Sequence, residues 1–229
     1  MASNIKILGI AGRVRKASFN KSALREAQKL LPEGASMEIF DIEGLPNFNQ
    51  DDEKNPPAKV VDLKAKIRAA DAILFVTPEY NYSIPGVLKN VIDWASRPYG
   101  DSAWNGKSVA VMGASVGVIG TARAQYHLRQ VFVFLDMDAV NQSEVMINAS
   151  KSFDDKGNLT DQATRDLIGK LLANLVKRPR RARLEAAGRP VSMNARVHRP
   201  VNVAANYHQL SAAVFSRHRK RNAMQIAGQ

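Results

Sequence analysis

Three short stretches hold residue types able to bind a ligand. The first is Gly12-Arg13-Val14-Arg15-Lys16-Ala17-Ser18-Phe19-Asn20, three cations with a hydroxyl and an amide side chain, directly before a helical segment. That combination suits a phosphate. The helix dipole and unpaired N–H groups at a helix start favour an anion, Ser18 and Asn20 can donate directed hydrogen bonds, and Arg15 can neutralise charge. The plainer alternative is that Ser18 or Asn20 only caps the helix while the cations are solvated.

The second stretch is Thr77-Pro78-Glu79-Tyr80-Asn81-Tyr82-Ser83-Ile84-Pro85-Gly86. Two prolines and a glycine stiffen it, and Tyr80 and Tyr82 offer planar faces. It brings no cation, so rigid backbone N–H groups here suit the polar edge of a flat heterocycle better than an anion. The alternative is an ordinary turn in which Ser83 leads a helix and the tyrosines pack as core. The third stretch, Ala114-Ser115-Val116-Gly117-Val118-Ile119-Gly120, has glycines that let backbone approach a ligand closely, a weak signal by itself.

Composition narrows the chemistry. The 229 residues are 45% hydrophobic and 24% charged, which fits one large domain or a domain with an appendage. Cysteine is absent, excluding disulfides, thiol nucleophiles, iron–sulfur clusters and cysteine zinc sites, so redox chemistry requires a bound cofactor. His127 is the only histidine before His198, which leaves metal clusters and Ser-His-Asp hydrolysis without partners and makes a structural role for it the expectation. Asp51-Asp52-Glu53 reads as a solvated turn, and Asp154-Asp155-Lys156-Gly157-Asn158 as a turn without the full set of calcium ligands. Gly100 followed by Gly106-Lys107-Ser108 is spaced one residue too long for a nucleotide loop and leads into a strand. No apolar run approaches the roughly 20 residues of a membrane span, and the start of the chain has no signal-peptide pattern. A cytoplasmic protein is the expectation.

The net charge is +12, but it is unevenly placed. Residues 1–176 carry 21 Lys and Arg against 20 Asp and Glu, and residues 177–229 carry 12 against Glu185 alone. The reading is a domain over 1–176 and a basic, poorly ordered C-terminal extension over 177–229. Without stacking aromatics or a groove-reading motif, nucleic-acid binding by the extension is the disfavoured reading, and a frame-shifted, artefactual extension is a third.

The elements that must position the three stretches follow from periodicity. Ile5 to Ile10 and Ala72 to Val76 are apolar runs of the kind buried in parallel sheets, and Ser36–Phe40, Ser108–Gly113 and Glu144–Ile147 complete five strands. Helical spacing covers Ser22–Leu31, Pro57–Ala70, Pro85–Ser96, Gly120–Phe134 and Thr160–Leu175. Strands alternating with helices predict an α/β fold, a flavodoxin-like three-layer αβα sandwich around a five-stranded parallel sheet. Ligands of such sheets bind at the carboxyl ends of the strands where the strand order reverses, and there the three stretches fall.

These residues resemble the NADPH-dependent FMN reductases of the flavodoxin-like superfamily, which include bacterial quinone and chromate reductases. The family's first loop, roughly Gly-Ser-x-Arg-x-x-Ser-x-Asn, is matched at Gly12, Arg15, Ser18 and Asn20. Its Thr-Pro-Glu-Tyr-Asn-x-Ser-x-Pro-Gly loop is matched in full by Thr77 to Gly86, and the following helix by Leu88, Lys89, Asn90, Asp93 and Trp94. The resemblance runs from about Ile5 to Val176. It departs at Arg13, which replaces a serine that contacts phosphate.

The resemblance implies bound FMN, with Arg13, Arg15, Ser18 and Asn20 around its phosphate. Pro78, Glu79, Tyr80 and Asn81 would contact the ring, Ser115 and Gly117 would line its other side, and Tyr80 and Tyr82 would border the stacking site. It implies hydride transfer from NADPH or NADH through the flavin to quinones or similar small acceptors, with chromate or other metal ions among them, and no acid or base side chain in the chemistry. A homodimer or homotetramer is implied too, with Arg123, Gln125, Tyr126, His127, Arg129 and Glu144 as interface candidates. The rival reading is an FMN-binding electron carrier without nicotinamide turnover, which the balanced charge of the first 176 residues disfavours.

Overall fold

The structure is a computed structural model and describes residues 4–186. Its first unit is β1 (Ile5–Ala11), α1 (Phe19–Lys29) and β2 (Ala35–Phe40). The chain continues through α2 (Ala58–Ala69), β3 (Ala72–Val76), α3 (Gly86–Ala95), β4 (Ser108–Ser115) and α4 (Ala122–Phe134). It closes with β5 (Asp138–Ala139), β6 (Val145–Asn148), the short α5 (Ala149–Ser152) and α6 (Gln162–Ala186).

All strand pairs are parallel, in the order β2-β1-β3-β4, with β5 and β6 both on the outer edge of β4. The chain steps outward from β1 to β2 and returns past β1 to β3. The order therefore reverses between β1 and β3, which opens a crevice at their carboxyl ends. Both faces of the sheet are covered, as the continuous apolar strands require. Ile5, Ile7, Leu74, Val76 and Met112 pack with Leu24, Ala27, Ile168, Leu171 and Leu175 of α1 and α6. Leu8, Ile10, Ile73, Phe75 and Val111 point the other way, onto Leu63, Ile67, Leu88, Val91, Leu128 and Phe132 of α2, α3 and α4. A Cβ on Gly9 would lie 2.7 Å from Leu24 Cδ1, so α1 sits as close as it does only against a glycine.

The flavodoxin-like sandwich is the observed architecture, with three corrections in detail. The fifth strand is two segments, because the chain leaves the ladder after pairing Ala139 with Val109 and rejoins it where Val145 pairs with Met112. β4 runs two residues past Gly113, which makes Ser115 its last residue. The last helix does not stop at Leu175. It continues through Pro179 to Ala186 because its final turns are anchored: Arg178 pairs with Asp138, Arg180 Nη2 donates to Glu33 O at 2.7 Å, and Arg183 pairs with Asp71. Residues 177–186, assigned on sequence to the extension, thus continue α6; the rest of that expected extension lies outside the described residues. No helix among the described residues is long and apolar enough to cross a membrane.

Candidate functional site

The loop after β1 leaves the sheet at Gly12, whose N–H still donates to Val76 O at 2.8 Å. Ser18 ends the loop as the N-cap of α1. It is buried, and its hydroxyl oxygen accepts from Lys21 N at 3.4 Å, so it caps the helix while the hydroxyl hydrogen stays free for an acceptor. Arg15 and Lys16 are exposed, and the amide N–H groups of Val14, Arg15, Lys16 and Ala17 have no acceptor among the described residues.

Asn20 is tied into the fold. Its Oδ1 accepts from Ala114 N at 2.8 Å and its Nδ2 donates to Ala114 O at 2.9 Å, in a buried pairing. The cause lies in the ladder: β3 ends at Val76, opposite Met112, so β4 loses its neighbour on that side before Ala114, and the Asn20 amide replaces it. Asn20 therefore aligns the first loop with the end of β4.

The loop after β3 begins where Thr77 N donates to Met112 O at 3.0 Å and Thr77 Oγ1 to Pro78 O at 2.8 Å. A Cβ on Gly113 would collide with the Thr77 carbonyl and the Thr121 side chain, so glycine lets the second and third loops converge. Tyr80 and Ser83 then exchange backbone bonds of 3.0 and 2.9 Å around Asn81 and Tyr82, whose φ values are 48° and 65°. This is a two-residue turn with both central residues left-handed; asparagine adopts that conformation readily and tyrosine does not. The amide N–H groups of Glu79, Asn81 and Tyr82 have no acceptor among the described residues.

The side chain of Glu79 is bound within the fold. It turns onto the start of α4, where Oε2 accepts from Arg123 N at 2.9 Å and Ala124 N at 3.2 Å and Oε1 from Arg123 Nη1 at 3.0 Å. Unpaired N–H groups of a helix start attract a carboxylate, so Glu79 locks the loop to α4. Arg123 also stacks on Tyr82, its guanidinium carbon 3.7 Å from the ring centroid, and Arg13 lies 5.1 Å from the Tyr80 ring centroid. His127 takes a structural place, with Nδ1 2.9 Å from Ser83 Oγ. Sequence reasoning missed the Arg123 contacts, since Arg123 lies 44 residues from Glu79 and its spacing carries no motif.

In the third loop Ser115 Oγ accepts from Gly117 N at 3.2 Å, and Gly120 N donates to Gly117 O at 3.1 Å. Val116, Val118 and Ile119 are exposed at its tip. Asn148, in register with Ser115, has a buried Oδ1 without a hydrogen-bond partner among the described residues. On α3, Asn90 Nδ2 and Trp94 Nε1 each donate to Pro46 O at 2.8 Å, so these motif residues hold the chain after β2 rather than a ligand. Gln125 is buried, bonded to Thr121 Oγ1 and Val145 O, and drops out of the interface candidates.

The sequence profile described as NADPH-dependent FMN reductase matches residues 5–152. An NAD(P)H-dependent FMN reductase of Pseudomonas aeruginosa is 52% identical over 186 residues, which cover 80% of this chain and all of that protein. A 2-hydroxy-1,4-benzoquinone reductase of Burkholderia sp is 46% identical, over 72% of this chain and 90% of its own. Among solved structures, the flavoenzyme NAD(P)H:(acceptor) oxidoreductase FerB of Paracoccus denitrificans superposes with a TM-score of 0.71 at 34% identity, covering 77% of this chain and 98% of that one. With the profile spanning more than half of the sequence and the fold shared, this chain belongs to the NADPH-dependent FMN reductase family.

Proposed function

We propose that the protein is an FMN-dependent NAD(P)H oxidoreductase that reduces quinones or similar small acceptors. The overall reaction is balanced as NAD(P)H, one proton and a quinone giving NAD(P)⁺ and a hydroquinone, two electrons passing from donor to acceptor. When bound, the flavin supplies a two-electron relay that no side chain of this chain can supply. The observation that carries the reading is the convergence, at one strand-order crevice, of a cationic loop and a rigid loop that both present open backbone N–H groups.

The residues present fit a phosphate and a flat ring edge. Arg15 and the Ser18 hydroxyl, with the amides of residues 14–17, would hold the phosphate beside the start of α1, while Arg13 lies over the Tyr80 ring. Asn20 would keep that cradle in register through Ala114. The amides of Glu79 and Asn81, with Pro78 and Tyr80, would border the ring edge, while Ser115 and Gly117 would close the opposite side. Tyr80 and Tyr82 would orient donor and acceptor in turn at the outer face.

The exposed side of α4 carries Tyr126, Val133 and Phe134, apolar surface that supports assembly with a second copy as a homodimer or homotetramer. We place the protein in the cytoplasm, where nicotinamide donors are available and a cysteine-free chain needs no oxidising environment.

Replacement of Arg15 by Ala should weaken FMN binding by about 1.5–3 kcal/mol, the worth of a hydrogen bond to a charged group. Isothermal titration checks it, and an unchanged affinity moves the phosphate elsewhere. Steady-state NAD(P)H oxidation with a quinone separates an enzyme from a carrier. Parallel double-reciprocal lines are expected of donor and acceptor sharing one face, and intersecting lines contradict that sharing.

A further inference from the structure

At the tip of the loop after β3, each tyrosine is covered on one side by an arginine from a different element. Arg13, from the loop after β1, lies over Tyr80, and Arg123, from the first turn of α4, lies over Tyr82 at 3.7 Å. The tyrosines remain 40% and 66% exposed, so ring surface and guanidinium edges face solvent together. Tyr82 is kept in a left-handed conformation that its side chain disfavours, and the stack with Arg123 fixes where the ring lies.

The charges of this rim are not balanced locally. The Glu79 carboxylate is consumed by Arg123 Nη1 and two helix amides. Arg13 has neither a hydrogen-bonding side-chain partner nor an ion pair among the described residues, and its contact is the Tyr80 ring. Two planar π faces flanked by cations favour a molecule that is itself planar and negatively charged: the ring can stack on tyrosine while the anion meets a guanidinium edge.

We propose that the two Tyr–Arg stacks form a specificity rim selecting planar anionic acceptors, such as quinones bearing a sulfonate, carboxylate or ionised hydroxyl, over neutral quinones of the same size. The proposal rests on the oxidoreductase reading above and deepens it.

The test compares 1,4-naphthoquinone-2-sulfonate with 1,4-naphthoquinone as acceptors of the full-length holoenzyme. Tyr82→Asn keeps a residue suited to the left-handed position and leaves the Glu79–Arg123 link, and Arg13→Ser restores a compact side chain. Each should lower the ratio of kcat/KM for the sulfonate to that for the neutral quinone by about two- to fivefold, chiefly through the KM of the sulfonate. Raising ionic strength should compress the wild-type ratio in the same direction.

A second readout is independent of turnover. Isothermal titration with naphthalene-2-sulfonate should show binding that both variants weaken, whereas naphthalene-2-methanol, which can stack but brings no anion, is weakened less by Tyr82→Asn and not at all by Arg13→Ser. Ratios that both variants leave unchanged, or sulfonate binding that they leave unchanged, overturn the rim. A holoenzyme that oxidises no NAD(P)H with the neutral quinone overturns the oxidoreductase reading instead, and the titration still decides the rim.

Discussion

Replacing Asn20 by Ala should destabilise the protein even when no flavin is present. The side chain is 3% exposed and makes two hydrogen bonds, of 2.8 and 2.9 Å, to the N–H and C=O of Ala114, itself 3% exposed. Truncation leaves a buried donor and a buried acceptor without partners where β3 has already ended. At roughly 1–3 kcal/mol for each orphaned group, partly offset by water entering the space, the expected loss is about 2–4 kcal/mol. For a domain of this size that lowers the melting temperature by about 5–15 °C. Thermal denaturation of the flavin-free protein reads the effect directly. Arg15→Ala supplies the opposite pattern, a lower FMN affinity with the flavin-free melting temperature unaltered, because Arg15 is exposed and holds nothing in the fold. An Asn20→Ala protein that melts with the wild type and only binds FMN more weakly would refute the positioning role and return Asn20 to the phosphate.

The end of α6 makes a second prediction. A chain ending at Val176 should melt below one ending at Ala186, because it lacks the Arg178, Arg180 and Arg183 anchors and frays the turn that buries Leu175 and Val176, a loss of about 2–4 kcal/mol. Equal melting temperatures of the two truncations contradict it. Asp101 gives a pH dependence. Hydrogen bonds from Lys64 Nζ at 2.8 Å and Arg68 Nη2 at 2.6 Å hold its carboxyl below the ordinary aspartate value of 3.8. A lowered pKa in the folded state stabilises above the unfolded value, and that contribution is lost as pH falls through the folded one. Asp101→Asn should therefore melt below the wild type at neutral pH, by a gap that narrows at an acid pH below 3.8 as the wild-type carboxyl takes up its proton. A gap of equal size at both pH values contradicts the assignment.

Much of the fold is written locally, which is why it reads from sequence. Ala72–Val76 is apolar on both faces and Ile5–Ile10 is so but for Lys6 near its start, a pattern that suits a covered parallel strand, and Ser18 before Phe19–Lys29 is a helix start by residue type. The location of the three loops follows from strand order alone. What is not local is not legible. That the Glu79 carboxylate binds the start of α4, and that the Asn20 amide pairs with Ala114 beyond the end of β3, depends on partners far away in sequence. Pro179 and the run of arginines read as the end of a helix, yet acids and carbonyls at the amino ends of the strands, far away in sequence, carry the helix onward. The split of the fifth strand likewise depends on which part of β4 remains open to pair.

The measurement that bears most directly on the account is the identity and affinity of the cofactor. The purified full-length protein should release a flavin on denaturation that is FMN, and the flavin-free protein should bind FMN more tightly than FAD, because the first loop offers a cradle for one terminal phosphate beside the start of α1. Isothermal titration of both flavins reads the comparison. FAD binding as tightly as FMN, or no flavin binding at all, would contradict the assignment of the Gly12–Asn20 loop as the phosphate site on which the functional reading depends.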